Sequence, residues 1–207
     1  ELEAERLSNA IISRDQLATE MTVVRNELEM GESQPTSVLQ ERVESAAFLW
    51  HNYGNSTIGP KSDIENVPNE RLVAFYKKYY QPDNAVLFVA GKIDTTKTLQ
   101  WIAGSFGRIP KPKRELPLST YTIEPTQDGE RTVTVRRTGG TPVLLAAYHV
   151  PAGRDAAFAP VDVLATVLGE APAGRLYKDL VDAKKAAKVG CQANQLRDAN
   201  LLECSAE

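Results

Sequence analysis

The sequence predicts an α+β chain with mainly antiparallel pairing, built as two consecutive units. Helix-period apolar patterning dominates the first hundred residues. A stretch rich in proline and basic residues then interrupts the chain near residue 110, and beyond it strands come in pairs on either side of two helices. The expected division is a first unit over residues 1–108, a linker over 109–125 and a second unit over 126–207.

In the first unit, Asp15 is the expected N-cap of a helix running to about Met30, with Gly31 as its stop. After Gln34-Pro35, Thr36 is expected to cap a second helix that carries Val38, Val43, Ala46, Ala47 and Trp50. Residues 51–60 hold loop and turn chemistry, H-N-Y-G-N followed by I-G-P. A third helix is expected over Asn69 to Tyr80, where Tyr76, Tyr79 and Tyr80 fall at packing positions. The run A-V-L-F-V-A-G at 85–91 reads as a buried strand, and a helix over 95–106 follows it. The I-P-K-P-K-R-E-L-P segment that comes next reads as an extended linker, with Lys111 to Arg114 as a solvated face.

The second unit opens with the alternating run R-T-V-T-V-R-R at 131–137, and Gly139-Gly140 turns it into a strand at 143–150. Helices are expected at 158–168 and 174–183, and strands at 187–196 and 200–206. A hairpin turning at Arg197-Asp198 sets Cys191 opposite Cys204, so a cross-strand disulfide is geometrically conceivable.

Length and composition narrow the function. The 207 residues suffice for a sizeable core, and 42% hydrophobic with 25% charged residues is ordinary for a globular protein. A net charge of −3 argues against nucleic acid as a partner. No apolar run is long enough for a helical membrane span. The chain opens E-L-E-A-E-R-L without an initiator Met and closes on L-L-E-C-S-A-E, which reads as a strand. It is therefore expected to be a fragment cut from a longer protein.

Glu20 and Glu27 are the most informative pair. On a helix, residues seven apart point within about 20° of each other and stand roughly 10.5 Å apart along the axis. Leu17, Met21, Val24 and Leu28 lie on one side of them and Val23 on the other, so both carboxylates are expected at an inward-looking edge. Burial without partners there would cost several kcal/mol, so a cation, a metal or donors are expected opposite them. A structural salt bridge or a helix-rim charge would satisfy the same spacing.

Four blocks carry a family resemblance in the right order over nearly the whole chain: V-V-R-N-E-L-E-M-G-E, W-H-N-Y-G-N-S-T-I-G, the run L-V-A-F-Y-K-K-Y-Y-Q-P-D-N-A-V-L-F-V-A-G-K-I-D, and G-R-L-Y-K-D-L-V. Together they resemble the zinc metallopeptidases of the insulinase/pitrilysin family, inverted zincins whose H-x-x-E-H helix supplies two zinc-binding histidines and a water-activating glutamate. The resemblance implies that Glu27 is the third zinc ligand. It also implies that Glu20 is the accompanying carboxylate with a catalytic supporting role. It implies parts of two consecutive α/β units, a peptide or unfolded polypeptide substrate, and a C-terminal half or partner subunit of the same family. Many bacterial relatives are periplasmic, which is an expectation at family level only.

Two departures qualify this. No H-x-x-E-H occurs, and the only histidines, His51 and His149, sit outside any ligand pattern. The chain thus offers one candidate ligand, where a catalytic zinc normally has three from protein plus water. The parent is expected to be a zinc endopeptidase, while the chain alone is expected to be inactive, to hold zinc weakly and to self-associate. The alternative is a non-catalytic structural or partner subunit, against which the retention of both glutamates argues. The second departure is that the Arg and Tyr which contact substrate in the family's C-terminal half correspond here to Val181 and Lys188. Together with the presence of Glu20 and Glu27, the resemblance then implies that the chain belongs to the N-terminal, zinc-bearing half. His51, His149 and the Arg175-Tyr177 block are expected to be structural.

Overall fold

The computed structural model describes residues 1–116 and 122–207, and it divides them into two compact units. The first takes in Glu1–Glu27 and Pro60–Tyr121, the second Leu28–Gly59 and Thr122–Glu207. Part of the expected linker, residues 117–121, lies outside the described residues.

The first unit is helical among its described residues. It contains α1 (Leu2–Ser8), most of α2 (Arg14–Ser33), and then, beyond the second unit's α3 (Pro35–Ala47), α4 (Lys61–Asn66), α5 (Asn69–Tyr79) and α6 (Thr95–Ser105). The start of α2 is a capping box. Ser13 Oγ accepts from the Gln16 N–H at 3.3 Å, while Gln16 Oε1 accepts from the Ser13 N–H at 3.4 Å. Ser13 therefore takes the N-cap role expected of Asp15. The helix also runs through Gly31, around which a side chain would meet nothing, so this glycine costs helix propensity without ending the helix. Of the α5 tyrosines Tyr76 is an anchor, its Oη donating to Arg6 C=O at 3.0 Å and accepting from the Ala10 N–H at 2.9 Å. Arg14 meets Glu70, in the first turn of α5, at 2.6 Å.

Two further expectations fail in this unit. Residues 85–90 form no strand and join no ladder among the described residues, and they are exposed along their length, Val86 at 77% and Phe88 at 86%. Their composition suits a buried strand, yet a strand is buried only when other strands flank it. Arg114, in the segment expected to be solvated, instead grips Asp83 with both terminal nitrogens at 2.8 and 2.9 Å and donates to Lys78 C=O.

The second unit is a three-stranded antiparallel sheet of β1 (Leu144–Val150), β2 (Val189–Ala193) and β3 (Asn200–Ala206), ordered β1-β3-β2. Period-2 alternation sorts its side chains onto two layers. Leu202, Val150, Cys191 and Ala193 face the layer of α7 (Phe158–Gly169), where Phe158 and Ala165 complete the core. Leu201 and Ala147 face the other way, onto Ala47, Phe48 and Tyr53 at the end of α3. That helix begins at Pro35, one residue before the expected Thr36 cap, because proline's missing N–H and fixed φ suit a first helical position. The segment expected as a strand at 131–137 keeps its alternating exposure but joins no ladder among the described residues. Arg131 ties it to the α3 end, donating to Ala46 C=O at 2.6 Å, where the helix dipole favours a cation. The helix expected at 174–183 is present over residues 175–182, with π-type geometry from Tyr177 to Asp182.

The two cysteines stand directly opposite each other across β2 and β3 and are joined, with an S–S distance of 2.05 Å. Close packing explains Gly169 beside them. A Cβ there would lie 2.3 Å from the Cys191 backbone nitrogen and 3.0 Å from the Gly190 carbonyl carbon, neither of which can swing away. Gly169→Ala is expected to destabilise the second unit by about 1–3 kcal/mol, read as a lowered thermal midpoint.

Candidate functional site

The candidate site that carries Glu20 and Glu27 is a face of α2. The packed side of that helix is set by Arg14, Leu17, Met21 and Arg25, which line a cleft against Ile64–Glu70 of α4 and α5. Glu20 and Glu27 lie about 100–120° around the helix from Met21, and neither borders that cleft. Both are exposed, which corrects the expectation of an inward-looking edge. The physical reason is the direction of packing. The neighbouring helices cover Leu17 and Met21, while Val23, on the far flank of the glutamates, is 48% exposed.

Exposure changes what the two carboxylates can do. Neither has a hydrogen-bond or ion-pair partner among the described residues, so the salt bridge that could have accounted for the spacing is not formed. Glu27 is a free carboxylate able to accept a metal, and Glu20 stands two turns before it on the same face. A metal needs more donors than these. Among the described residues no three His, Cys, Asp or Glu side chains cluster as a metal-binding group.

The two histidines belong to the second unit and have structural surroundings. His51 is 7% exposed. Its Nδ1 accepts from the Tyr53 N–H at 3.2 Å, so a neutral ring carries its proton on Nε2, which lies 3.5 Å from Asp198 Oδ2. The Asp198 N–H in turn donates to Tyr53 Oη at 3.2 Å, which ties the loop to the β2–β3 turn. His149 stacks edge-on against Phe48, with ring centroids 5.2 Å apart.

Sequence reasoning missed Glu124. Its carboxylate accepts from the backbone N–H groups of Leu49, Trp50 and His51 at 2.7, 2.9 and 2.9 Å, holding the loop that leaves α3. Burial alone would raise its pKa, but the three backbone donors outweigh that and hold it below the ordinary glutamate value. The only signal was indirect. Three consecutive N–H groups beyond a helix end need an acceptor, and nothing in the local sequence says which distant carboxylate supplies it.

A family model described as the peptidase M16 inactive domain matches residues 66–207. The chain is similar to zinc protease PqqE of Helicobacter pylori, 30% identical over 205 residues, which is 98% of this chain and 46% of that protein. Among solved structures it resembles a protease from Helicobacter pylori with a TM-score of 0.90 and 28% identity, covering 98% of this chain and 50% of that one. It also resembles a peptidase M16 inactive domain from Pseudomonas fluorescens with a TM-score of 0.76 and 16% identity, covering 99% and 50%. The chain thus spans about half the length of each of these proteins.

Proposed function

Since this chain belongs to the peptidase M16 family, the insulinase/pitrilysin peptidases, we propose that it is the part of a zinc endopeptidase that contributes the third zinc ligand. The observation that carries this reading is the pair Glu20 and Glu27, unpartnered and exposed on one face of a capped helix. Carboxylates used for stability are usually paired; a pair left free at this spacing suits a ligand and its supporting neighbour. Glu27 would bind the metal, and Glu20 would orient a ligand or hold a proton near it. Zinc, when bound, would polarise a scissile carbonyl and acidify its water. The remaining ligands, the substrate groove and a partner half would come from outside the described residues, and peptides or unfolded polypeptides are the expected substrates.

The chain by itself is expected to show no zinc-dependent peptide cleavage, because one free ligand carboxylate does not make a catalytic site. A fluorogenic peptide assay with added zinc, run on the chain and on the complete protein, checks this. Cleavage by the complete protein alone supports the reading, whereas a complete protein with neither zinc nor activity would favour a second one. That second reading is a non-catalytic structural or partner subunit, and the description of the matched stretch as an inactive domain speaks for it. Glu20 and Glu27 lie outside that stretch.

The same reading explains the bare run at 85–90. A segment with apolar side chains on both faces and an unpaired backbone is a template for another strand. The chain on its own is therefore expected to self-associate at high concentration, and Phe88→Lys to lower the apparent mass. Light scattering measures both, and a sharp monomer for the unsubstituted chain would count against the idea.

A further inference from the structure

A buried carboxyl in the second unit is left unused by the function proposed above. Glu203 sits mid-strand in β3 and is only 5% exposed. Alternation puts it on the same face as Leu201, toward α3, with Ala147 of β1 and Gln192 of β2 directly opposite. Above it α3 presents Gln40 and Glu44. Gln40 Nε2 donates to Glu44 Oε1 at 3.1 Å and reaches Glu203 Oε2 at 3.4 Å, so one amide serves two carboxyl groups. Glu203 Oε1 is buried with no partner.

Two ionised carboxylates around one amide repel each other, and a bare carboxylate oxygen in an apolar layer lacks solvation. One proton relieves both problems. The other charged groups near this face do not compensate. His149 on β1 stacks on Phe48, and His51 turns toward Asp198. Arg131 is spent on the Ala46 and Ala47 carbonyls, and Glu124 on the loop amides. From β2 the facing side chain is the neutral Gln192.

We propose that Glu203 and Glu44 form a proton-holding carboxyl pair that seats α3 on the sheet, tight when the proton is held and loosened when it leaves. The electrostatics agree in direction, since burial first and Glu44 second push the Glu203 carboxyl above its ordinary value, against a smaller opposing influence of the facing Gln192 amide. The sign follows from linkage. With its pKa raised in the folded state, Glu203 contributes stability that is fully present below the ordinary glutamate value, and that stability is lost as pH rises through the raised one.

The test uses the full 207-residue chain with ¹³C-labelled glutamate. The expected result is one carboxyl titrating above the ordinary range, missing in Glu203→Gln and lowered in Glu44→Gln. Hydrogen-exchange protection of the α3 amides, corrected for intrinsic rates, should fall about tenfold as pH rises through that midpoint. In Glu203→Gln it should stay flat. Should that variant fail to fold, Glu203→Met removes the titrating group at similar volume and must give the same flat profile. An ordinary titration of Glu203, a flat profile in the unsubstituted chain, or a pH-dependent profile in the variants overturns the proposal.

Discussion

If Glu27 is the zinc ligand proposed above, Glu27→Ala in the complete protein is expected to lower kcat/KM for peptide cleavage by about a thousandfold or more and to release zinc on dialysis. Removal of a ligand costs more than the 10- to 100-fold typical of residues behind the ligands. On the same proposal Glu20→Gln should fall within that smaller range and keep its zinc, because it would leave the ligand set intact and remove only an orienting charge. Metal content and kcat/KM measured on the same preparations separate the two roles. Equal zinc loss in both variants would mean that the division of labour between them is wrong. Full activity in Glu27→Ala would mean that another residue is the ligand. The free state of both carboxylates makes the experiment clean, because neither substitution breaks an ion pair among the described residues.

The second large effect is the loss of the bridge between Cys191 and Cys204. Its closed loop spans a sequence separation of 13, for which constraint of the unfolded chain is worth about 3 kcal/mol. Reduction, or Cys191→Ser with Cys204→Ser, is expected to lower the melting point of the second unit by roughly 10 °C. Melting curves with and without a phosphine reductant measure this directly. The position strengthens the expectation, since Cys191 also packs against the core of Val150, Phe158, Ala165 and Leu202. Two free thiols in the denatured, unreduced chain would show that the bridge does not form in solution. It needs oxidising conditions to form at all.

Much of the fold was legible because it rests on local pattern. The helices at 69–79 and 95–105 and the strands at 144–150 and 200–206 fall within a few residues of where periodicity puts them. The opposition of Cys191 and Cys204 followed from turn position alone, because the strand period is fixed. Errors arose where a feature depends on a partner distant in sequence. Residues 85–90 have the composition of a buried strand, and Val86 and Phe88 are nonetheless bare, since burial is a property of neighbours. The E-x6-E spacing of Glu20 and Glu27 was readable, but which side of α2 would be covered was not. Leu17 and Met21 lie close enough to the glutamates that either arc could have been the packed one. Glu124 and Glu203 left no local signal, because a lone glutamate in a loop or a strand looks the same whether it is solvated or engaged.

The central place of β3 has a consequence for synthesis. It pairs with both β1 and β2, yet it is the last of the three to be made. About 50 residues separate the end of β1 from the start of β3, so at cellular elongation rates β1 waits roughly 3–10 s on the ribosome before its partner appears. During that interval the nascent L-L-A-A-Y-H-V segment is exposed and sticky, so the yield of folded protein should depend on translation speed and on holding chaperones as well as on the stability of the finished sheet.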